Sequence, residues 1–360
     1  MPSQDKKTPV GILGATGVVG QRFIQLLENH PWFEIAWLAA SDRSEGKLYG
    51  EAVRWRLRTE LPARIAGMRM SSANSAAGAP KVIFAALDAA IAAELEPLFA
   101  EAGCAVVSNS SAFRMHADVP LVIPEVNPDH IPIIETQSWR KKSGGYIVTN
   151  SNCSAMGLVL ALAPLQKQFG LLTVMATTMQ AVSGAGYPGV PSLDILGNVV
   201  PYIAKEEEKM EEETQKLLGR VNGAAGGPMT IVPAPFAMSA QCNRVAVEDG
   251  HMESISVKLG TTAKSEDIIA SWNSFRGLAQ ELKLPSAPEQ PVVYLTGPDR
   301  PQPRIDVDRG RGMTSCVGRL RPCKVFDWKF TVLSHNVIRG AAGAAVLNGE
   351  LLKAQGLLPG

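Results

Sequence analysis

The stretch that most limits the fold lies near the N-terminus: Val10-Gly-Ile-Leu, then Gly14-Ala-Thr-Gly-Val-Val-Gly20, then Gln21-Arg-Phe-Ile-Gln-Leu-Leu27. An apolar run passes through spaced glycines into apolar residues at helical spacing, which predicts a strand, a tight turn and a helix. Glycine suits such a turn because the chain bends sharply, a pyrophosphate approaches the backbone, and the helix packs close to its strand. The spacing is Gly-x-x-Gly-x-x-Gly rather than Gly-x-Gly-x-x-Gly, so a plain turn competes. The strand-to-helix setting favours a nucleotide site, with Gly14, Thr16, Gly17, Val18 and Val19 against the ligand.

Residues 33–40 read as a second strand ending in Ser41-Asp-Arg-Ser-Glu-Gly-Lys47. NAD enzymes usually hold the ribose 2′-hydroxyl there with an acid, whereas a 2′-phosphate needs arginine and hydroxyl donors. Ser41, Arg43 and Ser44 surround Asp42, which favours NADP and leaves NAD open. Strand patterns at 81–86 and 105–108, separated by an Ala- and Glu-rich helical pattern at 89–101, predict a parallel doubly wound α/β sheet. Arg114 follows in a polar loop at a strand's carboxyl end, a place for an anion contact, although a lone arginine is more often a surface residue. Residues 121–127 and 146–148 read as closing strands, and 139–145 as a charged loop between them.

With 360 residues, 46% of them hydrophobic, the chain is long enough for about two cored domains. Lys and Arg total 35 against 34 Asp and Glu, so no basic excess points to nucleic acid or anionic lipid. Five scattered cysteines without Cys-x-x-Cys argue against a disulfide framework and a zinc knuckle, so no metal site is expected. The longest apolar run, 155–165, is well short of the ~20 residues that span a bilayer. The polar head lacks a signal-peptide core and an Arg-rich targeting pattern. A soluble, cytoplasmic protein acting on a small molecule is expected.

In the middle of the chain, Tyr146-Ile-Val-Thr-Asn-Ser-Asn-Cys-Ser-Ala-Met-Gly-Leu runs from strand through small polar residues into an apolar helix, with Pro164 bending or ending it. Cys153 therefore sits at a helix start, where free N–H groups and the helix dipole lower a thiol pKa. That makes it a candidate nucleophile; a free cysteine is otherwise a small buried hydrophobe. Beyond it, 171–180 reads as a strand ending at Gln180, followed by a glycine-rich turn. Residues 205–216 are helical and heavily charged, by default a solvated face. Glu206 and Lys209 share one side of that helix and could present an acid and a base to a zwitterion. Arg244 and His251 flank the next strand and turn. Residues 291–295, a basic hairpin-like stretch at 306–321 and 328–333 read as further sheet, before a loop and an Ala-rich helix.

Together these motifs resemble aspartate-semialdehyde dehydrogenases of the fungal and archaeal branch. The carriers are the glycine turn, Ser-Asn-Cys153, Gln180-Ala-Val-Ser-Gly-Ala-Gly, the Glu-Glu-x-Lys and Glu-Thr-x-Lys helix, Arg244 with His251, and Asn336-Val-Ile-Arg-Gly-Ala-Ala-Gly. The resemblance implies a Rossmann-type NADP-binding domain at 1–150 with 336–360. It also implies an α+β catalytic and dimerisation domain of the glyceraldehyde-3-phosphate dehydrogenase-like type at 151–335. The implied reaction is NADPH-dependent reduction of L-4-aspartyl phosphate to aspartate 4-semialdehyde with release of phosphate, on the route to lysine, methionine and threonine.

The resemblance also assigns roles. Cys153 forms a thioester, His251 moves protons with a pKa near its ordinary ~6.5, and Gln180 orients the substrate. Arg244 binds the carboxylate, Glu206 the ammonium, and Lys209, Arg114 and Asn152 the phosphate. Ser41, Arg43 and Ser44 take the 2′-phosphate; Ser183, Gly184 and Asn336 lie by the nicotinamide. A homodimer or homotetramer is implied. The competing functions are an acyl-CoA reductase of the malonyl-CoA type and a silent NADP sensor.

Overall fold

The computed structural model describes residues 7–223 and 229–359. The polar head at 1–6 lies outside them. The first sheet contains β1 (Thr8–Leu13), β2 (Phe33–Ala40), β3 (Ser71–Ser72), β4 (Val82–Ala85), β5 (Ala105–Ser108) and β6 (Tyr146–Thr149). All neighbours are parallel, in the order β3-β2-β1-β4-β5-β6. Every residue of β4, β5 and β6 is buried, which explains why they are apolar up to the closing Ser108 and Thr149: helices cover both faces of the sheet. The strand order reverses between β1 and β4, and the carboxyl ends there open a crevice. Helix α1 (Val18–Leu27) starts at that crevice, and α2 (Ala89–Glu101) returns from β4 to β5. Gly14 makes the turn possible: its φ is +86°, and a Cβ would lie 2.3 Å from the Ala86 carbonyl oxygen.

The second sheet is mixed. It comprises β7 (Leu171–Gln180), then, beyond a separate two-stranded pair β8 (Arg220–Asn222) and β9 (Thr230–Val232), β10 (Ala237–Arg244), β11 (His251–Leu259), β12 (Val292–Leu295), β13 (Ser315–Pro322) and β14 (Trp328–Ser334). Its order is β10-β7-β11-β14-β13-β12. Helix α3 (Cys153–Phe169) packs on one face, joining Leu158 and Leu162 to Val174, Ile255 and Val332. Helices α4 (Glu206–Leu217) and α5 (Ser265–Ser274) flank it, the latter through Trp272, whose indole N–H donates to the Ala161 carbonyl at 2.8 Å. The opposite face leaves Leu172 and Met175 exposed.

The last helix, α6 (Gly343–Ala354), returns to the first sheet, burying Ala345, Leu347 and Leu351 against Val10, Phe23 and Phe84. Two buried pairs tie this end down. Arg339 donates to both oxygens of Glu125 at 2.8 and 2.7 Å, and His30 Nε2 meets Glu350 Oε1 at 2.7 Å.

Some local expectations give way to packing. Pro164 neither ends nor bounds α3, which continues to Phe169 because nearly every side of this helix is enclosed by core. Residues 121–123 form no strand; a single bridge joins Leu121 to Thr149. The expected charged loop is mostly a helical turn, Ser138–Ser143, ended by Gly144 with φ +79°. The hairpin-like basic stretch at 306–321 begins where a helical turn, Pro303–Asp306, ends, runs through turns to residue 313 and becomes strand only at β13. Buried Asp306 organises it: burial opposes ionisation, but hydrogen bonds from Arg300, the Gln302 N–H and Arg309 hold its carboxyl at about 2. No helix among the described residues is long and apolar enough to cross a membrane.

One buried carboxyl should make folding pH-dependent. Glu96 on α2 accepts a 2.6 Å hydrogen bond from Ser108 Oγ while its Oε2 has no partner. Burial raises its pKa from 4.5 to about 7, against the lowering effects of Ser108 and Arg114. Between those values the folded chain binds more protons than the unfolded one, so this group's stabilisation is lost as pH rises through 7. Glu96→Gln should therefore be nearly neutral at about pH 5 and stabilising by about 2 kcal/mol at about pH 8. Urea unfolding at both pH values checks this; an equal effect at both would contradict a protonated native Glu96.

Candidate active site

Strand β6 ends beside the crevice, and Asn150-Ser-Asn carries the chain into α3. Asn152 caps that helix: its Oδ1 accepts the Ser154 and Ala155 N–H groups at 2.8 and 3.1 Å. Cys153 is thereby fixed as the first helical residue, half-buried, with Sγ 3.2 Å from Nε2 of His251. His251 opens β11 and is almost fully buried. Its Nδ1 accepts the Ala181 N–H at 3.1 Å, so the neutral ring assigned from this network carries its proton on Nε2, facing the sulfur.

The electrostatics differ from the sequence expectation on both partners. Burial, followed by the Glu206 carboxylate, pushes the Cys153 thiol up to about 12, although Arg114 and Arg244 pull it down. Burial, then Arg244 and His335, holds His251 down at about 3. The helix start is therefore outweighed by desolvation, and the resting pair is a thiol beside a neutral imidazole.

Arg244 ends β10 opposite Gln180 in the parallel register with β7, and its Nη1 donates to the Ala181 carbonyl at 2.8 Å. Ala181 thus serves both neighbours, its carbonyl holding Arg244 and its N–H holding His251. Gly184 lies directly over them: a Cβ there would come within 3.0 Å of Arg244 Nη1 and His251 Cε1. Gln180 is buried, its amide donating to Thr178 Oγ1 at 3.3 Å. Glu206, at the start of α4, accepts the Asn152 side-chain amide at 2.9 Å. Lys209 is half-buried one turn on, and among the described residues its ammonium has no hydrogen bond or ion pair.

Two residues of the Glu-Thr-x-Lys motif were given no role in the sequence because they sit inside a charge run that passes for a solvated face. Glu213 is buried and accepts both Arg114 Nη1 at 3.0 Å and the Asn152 backbone N–H at 2.5 Å. Lys216, also buried, donates to the carbonyls of Arg114, His116 and Val119 at 2.6, 2.9 and 3.0 Å. Helix α4 thus fixes the Arg114 loop against the nucleophile's backbone. Their signal was the i, i+3 spacing of an acid and a base, the same spacing that marked Glu206 and Lys209.

Beside α1 lies a cleft of about 730 Å³, lined by Gly14, Thr16, Gly17, Val18, Val19 and Ser41 among others. Gly17 caps α1 without a side-chain hydrogen bond, which leaves the first helical N–H groups available to an anion. The site fits a dinucleotide. Arg43 is exposed and Ser44 buried, and neither lines this cleft. Ser183, Gly184 and Asn336 form the passage towards His251: Asn336 donates to Ser183 Oγ at 2.8 Å and accepts the Gly250 N–H at 2.8 Å. A dinucleotide cleft therefore leads to a cysteine flanked by histidine, two arginines and an acid.

Comparison with known proteins gives this arrangement a family. Residues 9–134 match the semialdehyde dehydrogenase NAD-binding domain, and residues 162–339 match the semialdehyde dehydrogenase dimerisation domain. An aspartate-semialdehyde dehydrogenase of Methanothermobacter thermautotrophicus is 49% identical over 346 residues, covering 95% of this chain and 98% of the relative. The chain belongs to the aspartate-semialdehyde dehydrogenase family. The crystal structure of the Candida albicans aspartate-semialdehyde dehydrogenase with NADP superposes with a TM-score of 0.90 at 44% identity, covering 98% of this chain and 100% of that one. The Vibrio cholerae aspartate-semialdehyde dehydrogenase II gives 0.74 at 27% identity, covering 97% and 99%. The higher identities to archaeal and fungal aspartate-semialdehyde dehydrogenases agree with the branch suggested by the motifs.

Proposed function

We propose that the chain catalyses NADPH-dependent reduction of L-4-aspartyl phosphate to L-aspartate 4-semialdehyde through a thioester on Cys153. The observation that carries this reading is the 3.2 Å approach of Cys153 Sγ to His251 Nε2 at the end of a dinucleotide cleft. Cys153 attacks the acyl carbon, forming a C–S bond as the C–O bond to phosphate breaks; the thiol proton leaves with the phosphate. NADPH, when bound, would supply a hydride to the thioester carbon, which leaves a tetrahedral oxyanion on the substrate. Collapse of that oxyanion breaks the C–S bond and frees the aldehyde, and the departing Cys153 thiolate takes a proton from water to restore the resting thiol.

The chain's residues divide the remaining work. Arg244 offers a planar pair of donors to the substrate carboxylate, and Gln180 orients the reacting group. Arg114, Asn152 and Lys209 receive the phosphate. His251 Nε2–H stabilises the thiolate as it forms and the oxyanion that follows. Glu206 receives the α-ammonium, and this pairing offsets the carboxylate that helps to keep the resting thiol protonated. The nucleophile is thus activated as substrate arrives.

That coupling is testable. Glu206→Gln should raise KM for the semialdehyde about tenfold through loss of the charge-assisted contact. It should also speed alkylation of Cys153 in the free enzyme. Slower alkylation in the variant would contradict the assigned influence of Glu206.

The reading includes two units, residues 1–150 with 336–360 holding the cofactor and residues 151–335 carrying catalysis and dimerisation. Packing of α6 into the first core supports that division. Self-association through the second sheet, as a homodimer or a dimer of dimers, is supported by its exposed Leu172 and Met175. Cytoplasmic placement is supported by the five free cysteines, which suit a reducing compartment. The direct test of activity is oxidation of aspartate semialdehyde by NADP in the presence of inorganic phosphate.

A further inference from the structure

We propose that Arg56, with Arg54 beside it, is the clamp for a cofactor phosphate, and that Tyr187 sets the clamp; this rests on the dinucleotide reading above. Among the described residues lining the cleft, Arg54 and Arg56 are the cations, while Asp42 and Asp88 contribute negative charge. A dinucleotide phosphate entering the cleft meets its positive charge at these two side chains. Arg43, suggested by its place after β2, is exposed and lies outside the lining.

Arg56 is built into position. Its backbone N–H donates to Gln21 Oε1 at 2.8 Å, while Gln21 Nε2 donates to the Thr16 and Arg54 carbonyls at 3.0 and 3.1 Å. The Gln21 side chain therefore fastens the segment at 54–56 to the glycine turn. At the other end of Arg56, Nε and Nη2 are buried and lack a hydrogen-bond partner. Such donors are costly to leave unmet, and a phosphate oxygen satisfies them with a charge-assisted bond. A guanidinium serving only as a surface stack would keep those donors in water.

Tyr187 supplies the other half of the device. The Arg56 guanidinium carbon lies 4.0 Å from the centre of its ring, and Arg54 Nη1 is 3.4 Å from its hydroxyl. Tyr187 belongs to the loop that begins at Gly184, against Arg244 and His251. The stack joins the glycine-turn side of the cleft to the loop over the reacting residues. Tyr187 acts as a positioning residue, holding the guanidinium at the wall of the cleft that both residues line.

The test measures dissociation constants of NADPH and NADH by fluorescence titration for wild type, Arg56→Gln, Arg56→Lys, Tyr187→Ala and Tyr187→Phe, each checked for a wild-type melting temperature. Arg56→Gln should weaken NADPH binding about tenfold or more, with partial recovery in Arg56→Lys, which keeps charge without the planar fork. Tyr187→Ala should weaken it severalfold, and Tyr187→Phe, which retains the ring, should restore most of it. A loss confined to NADPH identifies the 2′-phosphate; an equal loss for NADH identifies the pyrophosphate. Either result supports the clamp. Constants for Arg56→Gln within about twofold of wild type for both cofactors would overturn it. A wild type that binds neither cofactor would sink the dinucleotide reading and the clamp together, whereas one preferring NADH would correct only the cofactor choice.

Discussion

Cys153→Ala is expected to lower kcat for the phosphate-dependent oxidation of aspartate semialdehyde by about 10⁴-fold or more, while NADPH binds as it does to wild type. The size follows from the role: without sulfur there is no thioester, and no neighbouring side chain replaces it in the structure's geometry. The substitution removes a small half-buried side chain beneath the cleft, and the Asn152 cap is unchanged because it uses backbone N–H groups of residues 154 and 155. Folding should survive. Stopped-flow and steady-state assays, with a melting curve alongside, separate lost chemistry from lost structure. A variant that retained even a tenth of wild-type turnover would remove Cys153 from the mechanism.

His251→Asn should cost about 10² to 10³ in kcat, the range for losing one donor aimed at a developing thiolate or oxyanion. The ring's contribution is specific to its present setting: Ala181 occupies Nδ1, Nε2 faces sulfur, and the neutral form dominates because burial and Arg244 hold the pKa at about 3. Two consequences separate this account from an imidazolium ion pair. The free wild-type enzyme should show no histidine-linked step near pH 6.5 in Cys153 alkylation, and its alkylation rate should still be climbing above pH 9, because the thiol is held up at about 12. A plateau below pH 8 would indicate a preformed thiolate. His251→Asn should also lessen acid sensitivity of folding: a group at about 3 when folded and 6.5 when unfolded loses stabilisation as pH falls from 6.5 towards 3.

The first sheet was readable because its strands are short apolar runs punctuated by glycine turns and helical patterns, and each of these signals is local. Cys153, Arg244 and His251 could be named one at a time, but their convergence depends on β7, β10 and β11 lying side by side, which no local pattern specifies. Sequence logic failed where tertiary environment reverses a local rule. A helix start predicted an acidic thiol, and burial beside Glu206 reversed the direction. A charge run predicted a solvated helix, yet Glu213 and Lys216 face inward to hold Arg114 and Asn152. Pro164 predicted a bend or an end to the helix, and core packing carries the helix on to Phe169. Arg54 and Arg56 lie on an irregular segment without periodicity, so only the folded chain brings them to the cleft.

The central claim is covalent transfer between aldehyde and phosphate at Cys153, and rapid mixing of wild-type enzyme with aspartate semialdehyde and NADP tests it most directly. Without phosphate the account predicts a burst of about one NADPH per active site and then almost no turnover; adding inorganic phosphate should start steady turnover, and Cys153→Ala should show neither. Steady turnover that ignores phosphate, or that requires coenzyme A instead, would contradict the account.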